Sequence, residues 1–99
     1  MGHARRRPER LAEKLLKIRN TLGLSQTELH KSLGVEEDIP YTRISDYERN
    51  KNEPSLMVLL EYARLAGVQL EIFADDQLDL PARLPGAVKH GNNSSRRKR

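Results

Sequence analysis

The 99-residue sequence contains no cysteine and little aromatic character, with three Tyr, one Phe and no Trp. Without thiols, disulfide frameworks, thiolate zinc sites and cysteine nucleophiles are excluded, and the redox compartment stays open. The three histidines, His3, His30 and His90, stand far apart. None forms the H-x-x-x-H or H-E-x-x-H spacing that places two imidazoles on one helix face, which argues against zinc. A glycine-rich phosphate loop, a G-x-S-x-G elbow and a credible nucleophile–base pair are also missing, so neither an enzyme nor a cofactor is expected. No apolar run approaches the roughly 18 residues of a membrane span. The opening MGHARRRPER has the charge of a signal peptide with no apolar stretch behind it, which points away from secretion. The expectation is a soluble, cytoplasmic chain with no membrane partner.

Charge of one sign is scarce in one place and abundant in another. The net +4 comes from 18 Lys/Arg against 14 Asp/Glu. Residues 11–80 hold eight basic and thirteen acidic side chains, a net of −5, whereas the flanks hold ten Lys/Arg against Glu9 alone, a net of +9. An acidic centre therefore carries basic ends, and overall basicity is weak evidence for nucleic acid. Residues 1–7 and 88–99 read as disordered basic tails. The second is low in complexity (KHGNNSSRRKR), with no aliphatic residue after Val88. Their functional alternative is non-specific phosphate contact. With 36% hydrophobic residues, the remainder can bury one modest core.

The centre has helical periodicity. Leu11, Leu15, Ile18 and Leu22 recur at i, i+4, i+7 and i+11, which predicts a first helix at about 8–21, with Pro8 near its first turn and Gly23 at its end. Ser25-Gln26-Thr27-Glu28 is a capping-box pattern that opens a second helix closed by Gly34. Pro40 can open a third, with Ile44 and Tyr47 inward and Asn50 as the stop, since Asn tolerates the left-handed conformation. Pro54-Ser55 opens a fourth, with Leu56, Leu59, Leu60, Ala63 and Ala66 expected on its buried side. Residues 68–74 suit either a strand or a short fifth helix; a helix is expected because no partner strand is evident. Residues 75–87 read as an extended arm whose Leu78, Leu80 and Leu84 pack on the domain or on a second copy. Asp75, Asp76 and Asp79 lack EF-hand spacing and read as a solvated linker. The domain division is 8–74 for the core, 75–87 for the arm, and tails on either side.

Two short helices with a tight connection, one helix before and one after, describe a helix-turn-helix unit. Leu22-Gly23-Leu24-Ser25-Gln26-Thr27-Glu28-Leu29, Leu33-Gly34-Val35, Arg43 to Lys51 and Pro54-Ser55-Leu56, in that order, resemble the Cro/repressor-type (XRE-type) family over about residues 11–73. The resemblance implies an all-α, compact four- to five-helix, lambda-repressor-like domain. It implies a bacterial, nucleoid-associated transcriptional repressor whose third helix, about 40–48, reads the major groove of double-stranded DNA. By position, Tyr41, Thr42, Arg43, Ser45 and Asp46 would face base edges; Arg43 could grip guanine O6/N7 in a bidentate contact. Gln26, Arg49 and Lys51 would contact phosphate. Arg19 and Glu48 match a structural ion pair of the family, which removes Glu48 from any catalytic reading. The resemblance further implies a dimer, for which helix 5 and the 70–84 arm are the candidate surface.

Some positions depart from the family pattern. Nine residues separate Gly34 from Ile44, more than is usual, so Glu36-Glu37-Asp38 is an insertion where carboxylates would repel phosphate. His30 replaces a small residue and is expected to be a partly exposed spacer. The acidic centre, the insertion and the leucine-bearing arm support an alternative reading, an antitoxin or adaptor-type protein-interaction module on the same fold. RNA binding has only Tyr41 as a stacking platform.

Overall fold

Leu11, Leu15 and Ile18 are buried along one stripe of α1 (Leu11–Leu22), and three of the helices that follow assemble against it. The computed structural model describes residues 7–86. In them α1 is followed by α2 (Gln26–Leu33), α3 (Thr42–Glu48), α4 (Leu56–Ala66) and α5 (Glu71–Ala74), with no strand among the described residues. α1 packs on α3, α4 and α5, while α2 packs on α3 and α4. The core they enclose includes Leu29, Leu33, Ile44, Tyr47, Val58, Tyr62 and Phe73. Residues 1–6 and 88–99, expected as disordered tails, lie outside the described residues, as do His3 and His90. Arg7 is placed, its Nη2 donating to Asn50 Oδ1 at 3.2 Å.

α1 begins at Leu11, three residues later than the Pro8 start suggests. The Glu9 and Arg10 amides are taken instead by the Asp76 carboxylate, which accepts them at 2.9 and 3.0 Å. An acceptor from outside thus satisfies donors at the helix entrance and favours the positive end of its dipole. The favour is returned at α5. Lys14, 1% exposed within the apolar stripe, donates from Nζ to the Ile72 and Asp75 carbonyls at 2.8 and 3.1 Å. These are C-terminal carbonyls that a four-residue helix cannot satisfy internally. Arg10 adds a bond to the Asp76 carbonyl at 2.9 Å and an ion pair with Asp79 at 2.7 Å. The acidic run is therefore not the solvated linker expected, because Asp76 caps, Asp79 pairs and Asp75 Oδ1 accepts the Gln77 amide at 2.9 Å. No group of three His, Cys, Asp or Glu side chains among the described residues is placed to hold a metal ion.

α4 buries Ala63 and Ala66 as expected but departs from expectation in its first two turns. Val58, Tyr62, Ala63 and Ala66 are buried, Leu59 and Leu60 half-buried, and Leu56 is 66% exposed. Ser55 caps the helix by accepting the Val58 amide at 3.2 Å, so Leu56 lies in the first turn, beyond the reach of α1 and α2. The stripe at i, i+4, i+8 from Val58 is the one those helices cover. Of residues 68–74, the last four form the short helix α5, with Phe73 buried edge-to-face on Tyr62 at 6.4 Å between ring centroids. Of the two partners open to the arm, the core takes Leu80 and Leu84, which are 8% and 2% exposed, while Leu78 stays outside. The segment ends against α4, where a Cβ on Gly86 would strike the Leu65 carbonyl oxygen and sit 2.6 Å from the Ala66 carbonyl carbon. Only glycine permits that approach.

Two outcomes follow for stability. The amides of Glu9 and Arg10, in that order, hold the Asp76 carboxyl below its ordinary 3.8. Its stabilisation is present above that value and lost as pH falls through the lower, folded-state one. The melting temperatures of the parent and Asp76→Asn should therefore differ at pH 7 and converge near pH 2; a gap that persists unchanged in acid would refute the cap. Second, the Tyr62 hydroxyl is buried with no hydrogen-bond partner, and burial pushes the phenol well above its ordinary 10.0. Tyr62→Phe removes that orphan and keeps the ring contact. Denaturant titration should show a gain of roughly 1 kcal/mol, whereas a loss would mean the hydroxyl has a partner.

Candidate nucleic-acid interface

The local chemistry of α2 sets its two ends. Ser25 Oγ accepts the Glu28 amide at 3.0 Å while Glu28 Oε1 accepts the Ser25 amide at 2.8 Å, a reciprocal box that satisfies two orphan donors. Gly34, at φ +73°, ends the helix in the left-handed conformation. The chain then makes one tight turn, with the Asp38 and Ile39 amides donating to the Val35 carbonyl at 2.9 and 3.1 Å. Val35 is buried and Ile39 half-buried, while Glu36, Glu37 and Asp38 point to solvent. α3 opens at Thr42 rather than at Pro40; the Pro40 and Tyr41 carbonyls accept the Arg43 and Ile44 amides at 3.0 and 3.1 Å. Asn50, at φ +60°, turns the chain away after the helix.

Ile44 and Tyr47 face the core, 0% and 4% exposed. On the opposite side Tyr41 and Thr42 are exposed, and Arg43, Ser45 and Asp46 are half-buried. Arg49 and Lys51 lie exposed just beyond the helix, and the Arg7–Asn50 contact brings Arg7 beside them. Asp46 lies at the centre of this face. Its carboxylate is 3.9 Å from Arg43 Nε and 3.6 Å from Arg49 Nη2, and accepts from Asn52 Nδ2 at 3.3 Å. Its carbonyl accepts the Lys51 amide at 2.8 Å. Asp46 thus orders the two arginines and offsets part of their charge.

Gln26 is drawn inward. Its Nε2 donates to Glu48 Oε1 at 3.1 Å, joining the Arg19–Glu48 pair. Arg19 meets Glu48 in a fork, Nε to Oε2 at 2.7 Å and Nη2 to Oε1 at 3.0 Å, with Nη1 on the Leu24 carbonyl at 3.0 Å. The Glu48 side chain is 4% exposed and that of Arg19 18%. The hydrogen bonds that Arg19 donates to Glu48 raise its guanidinium above the ordinary 12.5 and keep it charged.

His30 is a correction. It is 8% exposed rather than a partly exposed spacer, and its Nε2 donates to the Ile39 carbonyl at 2.6 Å. The sequence carries two traces of this, a polar residue beside Leu29 on the buried side of α2 and the long interval from Gly34 to Ile44. Lys14 and Asp76 were missed as well. Lys14 interrupts an apolar stripe, which is a legible signal; Asp76 has none, because its partners are backbone amides 66 and 67 positions away.

A sequence model of the helix-turn-helix family matches residues 15–73, which spans α2 and α3 and most of what surrounds them. The chain belongs to the XRE-type helix-turn-helix family. This is a family of DNA-binding transcription regulators. No curated protein and no solved structure gave a match. No helix among the described residues is long and apolar enough to cross a membrane.

Removing Glu48 strands a largely buried guanidinium and frees Gln26. Glu48→Ala should cost about 3 kcal/mol, the lower end for a buried pair because Arg19 keeps some access to water. Chemical denaturation reads this directly, and an unchanged midpoint would sink the role given to the pair.

Proposed function

We propose that this helix-turn-helix protein binds double-stranded DNA sequence-specifically as a transcriptional repressor, reading the major groove with α3. The observation that carries the reading is the outer side of α3. Tyr41, Thr42, Arg43, Ser45 and Asp46 share it, and Arg49 and Lys51 flank its far end. Arg43 donates to guanine O6/N7 and Thr42 meets a thymine methyl or a base edge. Asp46 accepts from cytosine N4 where Arg43 and Arg49 leave an oxygen free. Arg49 and Lys51 neutralise phosphates, and Gln26 offers its second amide proton to the backbone from the start of α2. Phosphate contacts supply affinity, α3 supplies the choice of sequence, and the basic tails add non-specific attraction. The protein works in the cytoplasm on the nucleoid, as a bacterial repressor does.

Two copies acting together would present recognition helices one turn of DNA apart, roughly 34 Å. The dimer surface is α5 with the 70–84 arm. What supports it is a surface cleft of about 630 Å³ lined by Leu60, Val68, Leu70, Ile72 and Leu78. A second reading, an antitoxin or adaptor that binds another protein, is favoured by the exposure of Leu56 and Met57 at 66% and 64% on the first turn of α4.

Selection from random duplexes should enrich one sequence, and Arg43→Ala should weaken binding to it by about 1–3 kcal/mol with relaxed preference at one base pair. If nothing is enriched, or if Arg43→Ala binds the enriched site as well as the parent, the recognition-helix assignment fails and the protein-interaction reading takes its place.

A further inference from the structure

Nine residues run between Gly34 and Ile44, and this segment delivers α3 to its place. Its apolar anchors are Val35, buried, and Ile39, half-buried. Such contacts fix depth but not direction, because burial of apolar surface is non-directional. The directional contact is the His30 Nε2 hydrogen bond to the Ile39 carbonyl at 2.6 Å. A carbonyl can only accept, so the ring proton is on Nε2. The donor stands on α2, whose start is held by the Ser25–Glu28 box. The acceptor belongs to the peptide that joins Ile39 to Pro40. Proline holds φ near −65° and transmits the orientation of that peptide with little slack. The next two carbonyls, of Pro40 and Tyr41, are the ones that start α3.

From this we infer that His30 is a positioning residue: it orients the first turn of α3 and thereby sets how Tyr41, Thr42 and Arg43 meet a base edge. The inference rests on the reading of α3 as the DNA-reading helix. His30 itself touches no DNA. It acts through the Ile39 carbonyl, and it lets this chain carry the Glu36-Glu37-Asp38 insertion without losing the register of the helix that follows.

Two variants separate this role from simple packing. His30→Leu fills the site without a donor, and His30→Gln restores an N–H at comparable reach. Amide hydrogen exchange reads the positioning without DNA. In His30→Leu the Arg43 and Ile44 amides should exchange roughly fivefold faster, the worth of one hydrogen bond, with amides of α1 and α4 unchanged. The ratio of affinities for the selected duplex and a scrambled one should fall by a similar factor, with binding to the scrambled duplex intact. His30→Gln should restore both. Unchanged exchange at Arg43 and Ile44 would overturn the inference. So would faster exchange spread equally over α1 and α4, which would make His30 a packing residue alone. Should the parent select no duplex, faster exchange confined to α3 would still support the orienting role while the DNA reading falls.

Discussion

Arg19 and Glu48 join α1 to the end of α3 through two parallel hydrogen bonds, and the same two side chains reach the connection before α2 at Leu24 and α2 itself at Gln26. Three helices therefore meet at one charged junction, where the geometry of a planar guanidinium leaves little rotational freedom. Apolar packing of Ile44 and Tyr47 would hold α3 against the core in many similar poses. The fork selects one of them. It places a carboxylate under α3 that is consumed by its partner, so the charge presented outward is that of Arg43, Arg49 and Lys51, tempered by Asp46. The two ends of α3 are controlled from different places: Glu48 ties its last residue to α1, and His30 on α2 ties the segment before its first turn.

A second constraint holds the opposite side of the molecule. α1 and α5 satisfy one another's ends, with Asp76 on the amides of Glu9 and Arg10 and Lys14 on the carbonyls of Ile72 and Asp75. A helix of four residues cannot sustain itself in water. Here it survives because a buried ammonium closes its end and Phe73 packs on Tyr62. The arm then returns Leu80 and Leu84 to the core and brings Gly86 onto the last turn of α4. Two of the acidic side chains of the centre thus act on the entrance of α1, since Asp76 and Asp79 hold Glu9 and Arg10.

The helices were legible because their signals are local. The Ser25–Glu28 box, the glycines after α1, α2 and α4, and Asn50 after α3 each act within a few residues of where they stand. Periodicity located the buried sides of α1, α2 and α3. In α4 it located Ala63 and Ala66 but not Val58 and Tyr62, because apolar residues occur nearly all round and only the position of the neighbouring helices decides that these two turn inward and Leu56 outward. The start of α1 was misplaced for a related reason, because Pro8 is a sound local signal that a distant carboxylate overrides.

Of the candidate interface, the order and spacing of motifs around Gln26 and Arg43 sufficed to identify the family, and the outward residues of α3 were carried over by position from that resemblance. What the sequence determined by itself was the set of helices, the caps of α2 and α4 and the stops after α1 to α4, since these depend on interactions within a turn or two. Tertiary structure alone decided that Gln26 leans on Glu48, that Asp46 lies between two arginines, and that His30 and Asp76 are partners to backbone groups. Backbone donors and acceptors are the same at every residue, so no pattern of side chains announces which of them will be met. That choice exists only once the chain has folded and brought them within 3 Å or so of one another.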